Sequence, residues 1–222
     1  KLKDVMKGSD GNPVTVTQYS YDAVGRLDCS TVRLNPSIWS SLPASACTLG
    51  TEGSQGPDRI TRNNYDAAGR LLKMQKAYGT TIQQDYVTYT YTNNGKQASV
   101  RDANGNLASL TYDGHDRLVQ WNFPSKTSTG SVSPTDYEQF GYDANGNKTS
   151  YRKRDGSTLT YAYDALNRMT VKTVPERSGL SSTHTRDIYY GYDLRGLQLY
   201  ARYDSTSGEG VSSTYDGLGG LA

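Results

Sequence analysis

The chain of 222 residues is poor in most of the residues that reactive sites and helical cores rely on. It holds two cysteines, two histidines, two tryptophans, two phenylalanines and three methionines. There is no Cys-x-x-Cys pair, and His115 and His184 are remote from each other in sequence, so a tetrahedral zinc site lacks a donor set. No run of a dozen apolar residues occurs, which excludes a transmembrane helix. Neither sign of charge dominates: 24 Lys+Arg against 22 Asp+Glu leave +2, too little for charge alone to imply a nucleic-acid or acidic-membrane partner. Leu, Val, Ile and Phe make only 36 residues, a poverty that signals disorder only when net charge is also high. Here it is low.

What is abundant is 19 Tyr, 23 Gly and 24 Thr. That mixture favours strands and turns over helices.

An internal repeat organises the chain. Tyr21-Asp22-Ala23-Val24-Gly25-Arg26-Leu27 recurs as Tyr65-Asp66-Ala67-Ala68-Gly69-Arg70-Leu71. Variants are Tyr112-Asp113-Gly114-His115-Asp116-Arg117-Leu118, Tyr142-Asp143-Ala144-Asn145-Gly146-Asn147 and Tyr163-Asp164-Ala165-Leu166-Asn167-Arg168-Met169. Two more are Tyr192-Asp193-Leu194-Arg195-Gly196-Leu197 and Tyr215-Asp216-Gly217-Leu218-Gly219, with a weaker copy at Tyr91-Thr92-Asn93-Asn94-Gly95. The tightest spacing is 21 residues, from Tyr91 to Tyr112 and from Tyr142 to Tyr163. Longer spacings indicate insertions.

Half-repeats at Arg101-Asp102-Ala103-Asn104-Gly105-Asn106 and Arg154-Asp155-Gly156 divide the period into two strands and two turns. Asn94-Gly95, Asn104-Gly105, Asn145-Gly146 and Asp155-Gly156 are dipeptides that tolerate positive φ in tight hairpins. Between the turns the residues alternate: Val87, Tyr89 and Tyr91 oppose Thr88 and Thr90, and Leu159, Tyr161 and Tyr163 oppose Thr158, Thr160 and Ala162. Val119, Trp121 and Phe123 form a third such set. Period-two alternation predicts half-buried antiparallel strands of about six residues, joined as consecutive hairpins.

The motif reads as a strand end and turn. Tyr buries its ring while its hydroxyl stays wet. Asp accepts backbone N–H groups in an Asx-turn, Gly takes the positive φ, and Arg-Leu starts the return strand.

The array spans 1–222 with loop insertions near 33–58, 124–136 and 175–187. Cys29 and Cys47 flank the first; a disulfide, a zinc half-site and two unrelated thiols are the open readings, zinc being disfavoured. A disulfide would imply an oxidising compartment. Trp39 is expected to form the local core of that loop. The chain opens without an initiator Met or apolar leader and closes within a copy of the motif, so it reads as a piece of something longer.

Tyr-Asp-x-x-Gly-Arg-Leu at this spacing resembles the YD repeats of Rhs proteins, which also occur in bacterial toxin-complex subunits and animal teneurins. The resemblance runs from about Tyr19 to Leu221, outside the loop excursions. It implies an all-β fold, a curved antiparallel sheet of hairpins spiralling into part of a hollow shell. It further implies a secreted or cell-surface bacterial protein whose shell encloses and helps deliver a C-terminal toxin or effector domain. The partners would be the rest of the shell, the enclosed domain and secretion machinery, with no nucleic acid. The Asp-Pro-x-Gly type motif of an autoproteolytic aspartyl site is not among these residues, nor is a toxin domain. Arg101 in place of Tyr, and Asn167 and Asp116 in place of Gly, depart from the repeat.

No catalytic, cofactor or metal residues are assigned, and the segment is read as non-enzymatic. The repeat-motif residues Tyr21, Asp22, Gly25, Tyr65, Asp66, Gly69, Tyr112, Asp113, Tyr142, Asp143, Gly146, Tyr163, Asp164, Tyr192, Asp193, Gly196, Tyr215 and Asp216 are assigned a structural role. Asp102 and Asp143 open like calcium loops, but the sixth and twelfth positions do not fit an EF-hand. No nucleophile elbow accompanies His115 or His184. Arg152-Lys153-Arg154 reads as a solvated face. The competing function is carbohydrate binding or cell-surface adhesion, through exposed Tyr and Trp.

Overall fold

The computed structural model describes residues 2–222. Apart from two single 3₁₀ turns, Pro36–Ile38 and Ser182–His184, its regular structure is entirely β. The strands are β1 (Lys3–Lys7), β2 (Pro13–Tyr21), β3 (Leu27–Arg33), β4 (Arg59–Tyr65), β5 (Leu71–Lys76), β6 (Gln84–Tyr91), β7 (Gln97–Asp102) and β8 (Leu107–Tyr112). They continue as β9 (Leu118–Pro124), β10 (Val132–Tyr142), β11 (Lys148–Arg152), β12 (Thr158–Tyr163), β13 (Met169–Thr173), β14 (Ile188–Tyr192), β15 (Gln198–Tyr203) and β16 (Gly210–Ser212). Strand order in the sheet is chain order, β1 through β16. By contact density the chain falls into two compact units, Lys1–Ser109 with Pro124–Val132, and Leu110–Phe123 with Ser133–Ala222.

In the first unit the alternation of β3 sorts its residues between two different environments. Cys29, Thr31 and Arg33 are fully buried, while Ser30 and Val32 on the other face are only half-buried. The buried face is covered by residues 34–58, the excursion between β3 and β4. Ala46 packs there on Cys29 and Ile60, with Cys47, Leu49 and Tyr78 around them. A disulfide joins Cys29 to Cys47, with Cα atoms 5.2 Å apart. Thr31 Oγ1 donates to the Ala46 carbonyl, and Trp39 Nε1 to the Arg33 carbonyl at 3.0 Å.

The loop is also held by a buried ion pair. Arg33 Nη1 lies 2.6 Å from Asp58 Oδ2, the two side chains being 0% and 2% exposed. Buried charge is tolerated only when every polar atom finds a partner, and here they do. Arg33 also donates to Gln18 Oε1 and to the Thr48 and Ser45 carbonyls. Asp58 accepts from the backbone N–H groups of Leu34 and Gly50.

The second unit packs through cross-strand rows. Phe140 pairs with Tyr151 and Tyr151 with Leu159. The Phe140 and Tyr151 rings stack at 5.1 Å, and Trp121 stacks on Phe123 at 4.7 Å, the i, i+2 spacing that puts both on one face. Arg152 and Arg154 are not free in solvent. Arg154 forms a two-bonded pair with Asp136 and lies 3.8 Å from the Phe123 ring centroid, and Arg152 covers the Tyr137 ring.

One loop boundary is corrected by the structure. The excursion expected over 124–136 closes sooner, because β10 already begins at Val132. The reason is Pro134: its fixed φ is close to that of extended chain, so it reads as a breaker in sequence yet sits inside a strand.

Candidate functional site

The tyrosine-aspartate turns are the one constellation that the chain repeats. Tyr112 and Asp113 open one between β8 and β9. The others join β2 to β3, β4 to β5, β10 to β11, β12 to β13 and β14 to β15, with Thr92 in place of Asp in the copy between β6 and β7, so within each unit they recur on one side of the strand array. In each of the latter, pairing slips by one residue at the Tyr, as between Ser20 and Tyr21.

The first copy shows the local chemistry. Asp22 N donates to the Arg26 carbonyl at 2.9 Å, and Gly25 N to the Asp22 carbonyl at 3.0 Å. This is a tight turn closed by a glycine bulge. The carboxylate fills the turn: Oδ1 accepts from Val24 N and Arg26 N, and Oδ2 from Arg26 Nε at 2.6 Å. Gly25 has φ +85°, where an added Cβ would meet nothing within 4 Å, so glycine is required by backbone conformation alone. At the Asn-Gly turns only the glycine takes positive φ. Asp116 and Asn167, which replace it, adopt φ 59° and 61° and close the same turn bonds. Asp and Asn tolerate that region.

Seven turn aspartates, Asp22, Asp66, Asp102, Asp113, Asp143, Asp164 and Asp193, are held below the ordinary carboxylate range. For Asp22, Asp66 and Asp164 the main cause is the backbone N–H of the arginine four residues on. For Asp102 and Asp143 it is the side-chain amide of Asn106 and Asn147. Burial works against the shift at Asp113 and Asp193, but hydrogen bonds to Arg117 and Leu197 outweigh it.

Four of these turns also grip the next through an arginine. Arg26 Nη1 donates to the Asp66 carbonyl, Arg70 Nη1 to that of Thr92, Arg117 Nη1 to that of Asp143 and Arg168 Nη1 to that of Asp193, at 2.9–3.4 Å. The same guanidinium groups lie 4.6–4.8 Å from the ring centroids of Tyr65, Tyr91, Tyr142 and Tyr192. The hydroxyls of those tyrosines donate to the carbonyls of Leu27, Leu71, Leu118 and Met169. One arginine therefore neutralises its own aspartate, caps a neighbouring carbonyl and covers a neighbouring ring.

Variant copies keep the link by other means. Asn145 and Asn147 both donate to Asn167 Oδ1, and Tyr163 Oη to the Lys148 carbonyl. Arg195, displaced by two positions, still bonds Asp193 Oδ2 and the Asp216 carbonyl, while Tyr215 Oη donates to the Gln198 carbonyl.

Sequence reasoning missed this coupling. It placed Arg at the start of the return strand and left the Tyr hydroxyl in water, whereas at these tyrosines the hydroxyl is bonded to backbone. The available signal was an arginine fixed four residues after the aspartate, a spacing that a strand start alone does not demand.

Other candidates are absorbed elsewhere. Asp28 lies against Cys29 and Cys47, but both sulfurs are in the disulfide and offer no thiolate to a metal. The Asp102 carboxylate is filled by Asn104 N, Asn106 N and Asn106 Nδ2. His115 is on a turn tip and His184 in a 3₁₀ turn. In the repeated turns the Arg and Tyr side chains are bonded to backbone carbonyls.

Consecutive hairpins locked through Tyr-Asp turns define a YD-repeat shell wall. The chain belongs to the teneurin YD-shell family, whose sequence model matches residues 53–222. No curated protein matches the chain. Among solved structures the fold is similar to that of TcdB2-TccC3-TEV, at 18% identity and TM-score 0.52, covering 97% of this chain and 13% of that one. TcdB2-TccC3 without its hypervariable C-terminal region matches at 18% identity and TM-score 0.53, over 97% of this chain and 13% of that one. The Photorhabdus luminescens Tc holotoxin pore matches at 17% and 0.52, over 96% and 13%. The chain thus spans 13% of the length of these structures.

Proposed function

We propose that this chain is a wall segment of a YD-repeat shell that encloses a C-terminal toxin or effector domain and helps to deliver it, without catalysis of its own. The observation that carries the reading is the direction of the motif's bonds. The recurring Asp, Arg and Tyr groups are spent on backbone within and between repeats, which is what a passive wall requires and what a reactive site does not. Nearest-neighbour coupling lets such a wall grow hairpin by hairpin. A matched structure that lacks a hypervariable C-terminal region supports a parent with a separable C-terminal part. The partners are then the remaining shell and the enclosed domain, in a secreted or cell-surface bacterial protein. Carbohydrate adhesion is less well supported, because Tyr65, Tyr91, Tyr142 and Tyr192 each have a ring face covered by arginine and a bonded hydroxyl.

The test is limited proteolysis of the parent protein. A domain C-terminal to the repeats that resists protease until the wall is opened by denaturant supports enclosure. Cleavage of that domain at the same rate with and without the repeats refutes it.

A further inference from the structure

We propose that the first unit carries a binding site for a small organic carboxylate with an apolar body. A cavity of about 530 Å³ opens over β3, β4 and β5. Cross-strand partners share a face. Thr17 pairs with Val32, Val32 with Arg59, Ser30 with Thr61 and Thr61 with Lys76. These residues floor the cavity with the side chains that alternate away from Cys29, and Thr31, Asp58 and Ile60 between them also line it. Leu34 and Pro57, from the two ends of that loop, and Ile82, from the β5–β6 connection, form apolar walls.

The cavity presents two exposed cations, Arg59 and Lys76. Lys76 Nζ donates to Thr61 Oγ1 at 3.1 Å and stands 5.4 Å from the Tyr86 ring centroid, and among the described residues it forms no ion pair. Arg59 has no ion pair among the described residues. Asp58 also lines the cavity, but its carboxylate is bound to Arg33 and to the backbone N–H groups of Leu34 and Gly50. Two cations therefore meet hydroxyl groups and an aliphatic wall in a volume within the range of roughly 300–1,000 Å³ typical of small-molecule sites. A carboxylate satisfies the guanidinium through two parallel bonds, and an aromatic or branched body covers Ile82, which is 75% exposed. The inference does not depend on the wall reading.

The experiment is an amide-detected NMR titration of the whole chain with naphthoate and with its neutral isostere naphthylmethanol. Naphthoate is expected to shift Ser30, Thr61, Lys76 and Ile82 saturably, with naphthylmethanol at least about tenfold weaker, the factor that 1.4 kcal/mol represents. The Arg59→Gln, Lys76→Gln double variant is expected to erase that preference with second-unit resonances unmoved. Equal affinity for the two compounds, or no saturable and localised shift, overturns the proposal, and because this comparison uses the unsubstituted chain it stands even if the variant misfolds.

Discussion

Arg168 lies against Tyr192, its guanidinium carbon 4.8 Å from the ring centroid, and from there donates to the carbonyl of Asp193. Tyr192 answers by donating its hydroxyl to the carbonyl of Met169, the residue after Arg168. Two side chains from successive turns thus cross, each closing on the other's backbone. Arg26 with Tyr65, Arg70 with Tyr91 and Arg117 with Tyr142 repeat the exchange.

Removing one half of the exchange should weaken the other. Tyr192→Phe deletes the bond to Met169 and is expected to cost about 1 kcal/mol. Arg168→Lys keeps charge but loses the planar fork. Urea denaturation of both variants and the double variant should show a coupling of at least about 0.5 kcal/mol; strict additivity would mean that the two contacts are independent.

The turn glycines should resist substitution even where space is free. Gly196 has φ +87° and nothing within 4 Å of an added Cβ. Gly196→Ala is expected to destabilise by about 1–2 kcal/mol, and Gly196→Asn by less. A neutral alanine variant would show that the turn relaxes out of the left-handed region.

Acid should loosen the array. Asp22, Asp66 and Asp164 are depressed first by backbone N–H bonds from Arg26, Arg70 and Arg168. A depressed folded pKa contributes stability that is complete above the unfolded carboxylate value of about 4 and is lost as pH falls through the folded values. The urea midpoint should therefore hold from pH 7 to about 5 and fall below about 4. Asp164→Asn should shallow that fall, and a midpoint unchanged at pH 3 would contradict the assignment.

The first unit should depend on its loop anchors. Asp58→Ala strands the buried Arg33 and is expected to cost about 3–5 kcal/mol. Reducing the Cys29–Cys47 disulfide should cost about 3 kcal/mol in the chain-entropy account. Hydrogen exchange provides the check: amides of β3 and β4 should lose protection first, while those of β14 and β15 keep theirs.

Much of this was legible in one dimension because the array is nearly one-dimensional. Strand order equals chain order, so alternation such as Leu159, Tyr161, Tyr163 against Thr158, Thr160, Ala162 reports the faces directly. The Tyr-Asp turns were legible for the same reason, their bonds running between residues two to four apart. The 124–136 boundary was not: Pro134 looks the same in sequence whether it breaks a strand or extends one.

By itself the sequence determined the repeat, its turn chemistry and the β class, since all three are set by interactions among near neighbours. Only the tertiary structure decided what Arg26, Arg70, Arg117 and Arg168 hold, which face of β3 lies under the 34–58 loop, and that Arg33 and Asp58 meet there. Those contacts join residues some 22 to 40 positions apart. Such partners are chosen by register and loop path, which a local pattern does not encode.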